Sequence, residues 1–325
     1  MQDIRDFIPS YKAIPVICGP TASGKSAIAN EICLKTGGEL VSCDSMQIYR
    51  TLDIGTAKPT DEEQKLIRHH MIDIADPGKD FSVNDFVTMC LSEIKDILER
   101  GKLPVLCGGT GQYISSLRDG IRYDDKQVPQ ELLSAMYDKC ASDGPQELYE
   151  ELQKVDPEAP SKIHPNNHRR VVRALAVYRA TGKTMTEWNL QSKSEGPQYP
   201  FMLFEPDWEE QRDILYDRIN RRVDIMMEQG LADEAARLYS GDAGRKSTCF
   251  QAIGYKEFAA WCDMDKDSPD ADAVLQKAVY DIKLNSRHYA NRQLTWFRYM
   301  DDIVKLPCDF QPSDNARTVL RMITA

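Results

Sequence analysis

The strongest constraint on this chain is the stretch Gly19, Pro20, Thr21, Ala22, Ser23, Gly24, Lys25 and Ser26. An apolar run, Ile14-Pro-Val-Ile-Cys18, precedes it, and Ala27-Ile-Ala-Asn-Glu-Ile-Cys33 follows with a helical pattern. Strand, Gly-rich loop and helix in that order make a phosphate cradle, because the glycines let backbone N–H groups curl around anionic oxygens at a helix N-terminus. The motif assigns Lys25 to the outer phosphates and the Ser26 hydroxyl to Mg²⁺. An ordinary Gly-rich turn is the bland alternative. The spacing predicts a P-loop, and so a protein that handles a polyphosphate or diphosphate.

The 325 residues allow one large domain or two, and 42% hydrophobic with 28% charged residues describes a globular chain. No apolar run approaches a membrane span. The acidic start, with Asp3 and Asp6, lacks the bases and apolar core of an export signal, so a cytoplasmic protein with no membrane partner is expected. The 9 cysteines form no zinc-spaced cluster, and Cys18, Cys43 and Cys107 lie in apolar runs as buried thiols. A net charge of −10 argues against gross nucleic-acid affinity, although a local basic groove remains compatible with it.

A second apolar run, Leu40-Val-Ser-Cys43, delivers Asp44 at the end of a short strand, where ligands of open α/β sheets bind. A turn or cap aspartate is the alternative reading. The adjacent His69 and His70 cannot both face one metal from a strand and read as structural or supporting. Asp73 could stand behind a Mg²⁺ ion, without a Walker-B pattern to support it. Ser82 caps a helix predicted to run to about Arg100. Residues 102–107 form a buried strand that ends in Gly108-Gly-Thr-Gly111. That junction should lie beside the first in a parallel sheet, bringing Thr110 to the same pocket, unless these glycines only permit a tight turn.

Three parts are expected: residues 1–120 as the first part of the core, 121–200 as a helical insertion, and 201–325 as the second part with C-terminal helices. In the insertion, Arg169, Arg170 and Arg173 make a basic stripe backed by an apolar packing face that includes Val171 and Val172. A solvated face with local salt bridges is the alternative. Residues 200–204 read as a return strand, and Trp208 to Gly230 as one long helix. Its Arg218 and Arg222, four apart, could clamp one anion. A last helix, from about Asp270 to Met300, interleaves bases, amides and aromatics suited to RNA.

Together these segments closely resemble the tRNA dimethylallyltransferases (tRNA isopentenyltransferases). The matching stretches are residues 19–26, 44–49, 53–59, 108–113, 169–175, 251–256 and 291–296. Small departures are Gln112, where Leu is more usual, and Asn291, where Lys is common. The zinc-finger extension of eukaryotic relatives is absent, so the chain looks bacterial in type.

The resemblance implies a P-loop kinase-like parallel sheet flanked by helices, with an inserted all-helical subdomain. It implies transfer of a dimethylallyl group from dimethylallyl diphosphate to N6 of adenosine 37 in the tRNA anticodon stem-loop, with Mg²⁺ as cofactor and a monomer as the working form. Residues 19–26 would grip diphosphate, the leaving group, aided by Arg218 or Arg222. Asp44 would accept the N6 proton, and Thr110 would orient the diphosphate or Asp44. The tRNA contacts implied are Asp44, Ser45, Met46, Gln47, Thr110, Arg169, Arg170, Val171, Val172 and Arg173. To these are added Gln251, Ala252, Ile253, Gly254, Tyr255 and Lys256, then Asn291, Arg292, Gln293, Leu294, Thr295, Trp296, Phe297 and Arg298. An adenylate (cytokinin-type) prenyltransferase and an ATP-binding small-molecule kinase are the competing readings; a non-catalytic RNA-binding protein would leave Asp44 and Thr110 without a purpose.

Overall fold

The computed structural model describes residues 1–121, 128–161, 163–241 and 247–324. The chain divides into two compact units, Met1–Ser115 with Tyr199–Ala325, and Ser116–Gln198.

The larger unit is built on six strands: β1 (Ile14–Cys18), β2 (Glu39–Ser42), β3 (His69–His70), β4 (Pro104–Gly108), β5 (Phe201–Asp207) and β6 (Ile303–Pro307). They pair in the order β3-β2-β4-β1-β5-β6, all parallel. Every residue of β1, β2 and β4 is buried, the consequence of helices on both sheet faces. The chain leaves β1 towards one edge and β4 towards the other, so the crevice between their C-terminal ends is the switch point where such sheets bind ligands. The second Gly-rich junction lies beside the first, as its sequence predicts.

The helices of this unit are α1 (Lys25–Thr36), α2 (Asp61–Leu66), α3 (Val83–Glu99) and α4 (Gly111–Arg118), the last running into the second unit. Ser82 caps α3 in a capping box with Asp85. The smaller unit adds α5 (Gln130–Asp143), α6 (Pro145–Val155), α7 (His168–Thr181) and α8 (Met185–Glu195). Met136, Leu148, Leu152, Val171, Val172 and Leu175 form its core. Val171 and Val172 are thus corrected from RNA contacts to packing residues: they are 1% and 0% exposed. Arg169 and Arg170 stay exposed on α7.

After β5 come α9 (Arg212–Glu228), α10 (Leu231–Ser240), α11 (Ala259–Asp263), α12 (Ala271–Arg298) and α13 (Pro312–Ile323). The expected helix over 208–230 is therefore shorter: Trp208 is held outside it because its buried indole N–H donates to the Ser23 carbonyl at 3.1 Å. Gly230, at φ 97°, turns the chain from α9 into α10, a left-handed geometry that suits glycine.

His69 and His70 separate as neighbours on a strand must. His70 is buried between two carboxylates, Nε2 at 2.7 Å from Glu39 and Nδ1 at 2.6 Å from Glu93. Arg100 and Lys102 also donate to Glu39. Asp73 is taken by Lys58, which also bonds Asp53 and the Tyr49 carbonyl. This ties it to the loop over 53–58.

Candidate active site

A cavity of about 450 Å³ opens at the β1/β4 crevice. Its lining includes Lys25 and Ser26 at the start of α1, Asp44 and Gln47 after β2, the loop over 55–59, Gly108 at the end of β4, Arg222 on α9, Gln251, Ile253, Gly254 and Lys256 before α11, and Tyr289 and Arg292 on α12. Each is brought there by a local rule. Gly24, at φ 90°, turns the chain sharply before α1, and Lys25 folds back so that Nζ donates to the Pro20 carbonyl at 3.0 Å.

The Gly108–Gly111 turn answers the question its sequence posed. These glycines do not adopt the left-handed region; they are small because neighbours press against them. A Cβ on Gly108 would stand 2.3 Å from the Cys43 carbonyl oxygen, one on Gly109 2.2 Å from Gln293 Nε2, and one on Gly111 2.4 Å from the Trp296 ring. Closeness lets Thr110 Oγ1 accept from the Ser45 N–H at 3.0 Å, which fixes the turn that carries Asp44. Asp44 Oδ1 itself accepts from the Met46 N–H at 2.8 Å, so the turn-capping reading also holds, and Asp44 lines the cavity.

Burial pushes the Lys25 ammonium below its ordinary lysine value, and the nearby Arg222 guanidinium pushes the same way. Arg222 is likewise lowered by burial and supported by the Asp44 charge. Two half-desolvated cations facing one carboxylate make a pocket that an anion with several negative charges would complete. Alongside Arg222, the α9 residues Ile219, Val223 and Met226 add an apolar wall with Ile282 of α12. The cavity can therefore hold a charged head and a short apolar tail.

Arg218 is not part of this wall. It is exposed, donates to the Ala22 carbonyl at 2.8 Å and stacks over Trp208 at 5.2 Å. Of the residues expected on the last helix, Arg292 and Gln293 reach the cavity. Gln293 is buried and joins both turns, accepting from Thr21 N–H and donating to the Gly109 carbonyl, each at 2.9 Å. Its expected contact with RNA is corrected to this internal tie. Leu294, Phe297 and Tyr255 are 2%, 1% and 0% exposed, so packing is their role, not RNA contact. Ala252 is buried too, against the cavity. Asn291 accepts from the Tyr216 hydroxyl at 2.7 Å. Trp296 is 42% exposed and Arg298 pairs with Glu209.

Sequence reasoning missed Tyr289, Glu205 and Glu234. Burial raises the Tyr289 hydroxyl to about 12, beside Thr110. Glu205 is buried under the first turn, raised by burial despite its partner Lys305, and its Oε1 has no protein partner. Only its position directly after the apolar run 201–204 could have singled it out. Oxygen donors suited to Mg²⁺ are present: the Ser26 hydroxyl lines the cavity, and so does Asn30, whose Oδ1 is buried without a protein partner.

The fold and the cavity define an α/β enzyme class with a pocket of cations, one carboxylate and an apolar wall at a parallel-sheet switch point. The chain belongs to the IPP transferase family, whose model matches residues 47–300. Residues 19–26 and Asp44 precede that match. A protein named tRNA dimethylallyltransferase from Anoxybacillus flavithermus is 45% identical over 285 residues, covering 88% of this chain and 87% of its own. One of the same name from Halalkalibacterium halodurans is 46% identical over 283 residues, 87% of each chain. The crystal structure of a full-length tRNA isopentenylpyrophosphate transferase from Bacillus halodurans is similar with a TM-score of 0.67 at 38% identity, covering 95% of both chains. A structure of a eukaryotic dimethylallyltransferase acting on tRNA reaches a TM-score of 0.77 at 31% identity, over 91% of this chain and 74% of that one. No helix among the described residues is long and apolar enough to cross a membrane.

Proposed function

We propose that this protein transfers the dimethylallyl group of dimethylallyl diphosphate to the N6 amine of adenosine 37 in tRNA and releases diphosphate. The observation that carries the reading is the pairing of Lys25 and Arg222 against Asp44 in one cavity with an apolar wall. The names of the relatives support the RNA acceptor.

N6 attacks the carbon bearing the diphosphate, the C–O bond breaks, and its electron pair leaves on the diphosphate oxygen. Charge grows there as the bond breaks, so Lys25, Arg222 and the N–H groups of the first turn act most strongly in the transition state. The adenine amine is a weak nucleophile because its lone pair is delocalised. Asp44 accepts the proton as the new C–N bond forms. Thr110 holds the Asp44 turn through Ser45. Ser26, with Asn30 and Asp44 close by on the cavity wall, would hold Mg²⁺. When bound, the ion neutralises the leaving diphosphate.

The target base must leave its stack to enter such a pocket. Exposed Arg169 and Arg170 are suited to phosphates of the anticodon stem. Arg292 and Trp296 are suited to the loop bases. One chain supplies every group that the reaction needs, so a monomer suffices.

The test uses radiolabelled dimethylallyl diphosphate with Mg²⁺, and either unmodified tRNA or AMP as acceptor. Label at adenosine 37 is the expected result. Label in AMP would move the protein to the adenylate prenyltransferases. Label in neither acceptor, with ATP hydrolysed, would replace this reading with a kinase. Asp44→Ala should abolish turnover while tRNA binding persists.

A further inference from the structure

A buried carboxylate outside the cavity holds one of its walls. Glu234, on α10, is 4% exposed, and both of its oxygens are spent on one loop and one tyrosine. Oε2 accepts from the N–H groups of Asp53 and Ile54 at 3.0 and 2.9 Å, and Oε1 accepts from the Gly55 N–H at 3.0 Å and the Tyr255 hydroxyl at 2.6 Å. Three successive backbone donors on a carboxylate make a nest that normally receives a free anion; here the protein supplies its own. Tyr255 is itself buried, and its ring lies so close to Gly55 that a Cβ there would stand 2.6 Å from it.

The connections continue inward. The carbonyls of Thr56 and Ala57, next along the loop, each accept from Gln47 Nε2 at 3.2 Å. Gln47 Oε1 accepts from Ser42 at the end of β2, and the Gln47 N–H approaches Asp44 Oδ1 at 3.4 Å. An unbroken path of hydrogen bonds and main chain thus runs from Glu234 through the loop and Gln47 to Asp44. Lys25 and Arg222 stand on α1 and α9, off this path.

We propose that Glu234 is a positioning residue: it fixes the loop over 53–57 and through Gln47 the orientation of Asp44, without touching substrate. The proposal predicts a split between steps. Losing the anchor should slow proton acceptance and leave the grip on diphosphate intact. A misplacement that begins far from the chemistry is enough to cost about tenfold or more in rate.

The experiment compares wild type, Glu234→Gln and Tyr255→Phe by amide hydrogen exchange and by steady-state kinetics with dimethylallyl diphosphate and tRNA. Glu234→Gln turns an amide N–H₂ towards donors that need an acceptor. Tyr255→Phe removes one donor and keeps the carboxylate, a milder change should the first variant fold poorly. Faster exchange is expected at residues 44–49 as well as 53–58, with kcat about tenfold lower and the Kd for dimethylallyl diphosphate within about twofold. Tyr255→Phe should shift both in the same direction by less. Unchanged exchange at residues 44–49, or a Kd weakened as much as kcat, overturns the proposal. Its kinetic part rests on the prenyl-transfer reading. A wild-type protein that transfers nothing would sink that reading, while exchange at residues 44–49 still decides the coupling.

Discussion

Arg218 and Arg222 lie one helical turn apart on α9 and face different surroundings: Arg222 lines the cavity beside Asp44, and Arg218 is exposed, donating to the Ala22 carbonyl. Arg222→Ala should therefore lower kcat roughly 100-fold to 1000-fold, the cost of removing one donor to a developing anion. Arg218→Ala should cost less than about tenfold, since it loses one exposed bond to the Ala22 carbonyl and the stack on Trp208. Steady-state prenyl transfer on both variants checks the order; equal losses would put both guanidiniums on the diphosphate.

Gln293 gives a second test. Gln293→Leu keeps the volume and leaves the Thr21 N–H and the Gly109 carbonyl without their partner. Two buried groups unpaired cost enough to loosen both turns, so the affinity for diphosphate should fall about tenfold. Calorimetric titration with diphosphate reads the change directly.

Glu39 governs acid stability. Burial would raise its carboxyl, but hydrogen bonds from Arg100, Lys102 and His70 outweigh burial and hold it well below its ordinary 4.5. A carboxyl lowered in the folded chain stabilises it above its unfolded value and loses that contribution as pH falls below about 4.5. Glu39→Gln should cost roughly 3 kcal/mol at pH 7, because Arg100, Lys102 and His70 lose the charge they share. The gap between the urea midpoints of the two proteins should narrow steadily as pH falls below about 4.5. A constant gap between them would show that Glu39 is not the acid-sensitive group.

Gly108 is a packing position, not a flexible one. Gly108→Ala would drive a methyl into the Cys43 carbonyl at 2.3 Å, a contact between two backbones that cannot move apart without opening the β2–β4 pair. Overpacking of this kind costs about 1–3 kcal/mol, and thermal melting would record it. A melting temperature within a degree or so of wild type would mean that the strands have slack.

Much of the site was legible because its parts follow local rules. Glycines at 19 and 24 before Lys25, an apolar run ending at Asp44, and a second glycine cluster at 108–111 each announce a strand end, and parallel strands put those ends together. What stayed hidden depends on long-range burial. Arg218 and Arg222 have the same spacing and chemistry in sequence, and only the position of the first turn against α9 separates them. Gln293 lies where polar and aromatic groups interleave, and Tyr255 in a stretch that the resemblance assigns to RNA, yet both are buried. Glu234 sits in an amphipathic helix where a glutamate normally means a solvated face. Trp208 looked like a helix residue until its indole found the Ser23 carbonyl.

The tie made by Gln293 spans 272 residues to Thr21 and 184 to Gly109. A ribosome delivers both turns long before the amide that joins them. During synthesis the emerging protein has β1 to β5 and its lysine but no finished pocket until α12 follows. Truncated products of this gene would carry the recognisable phosphate signature without a working enzyme behind it.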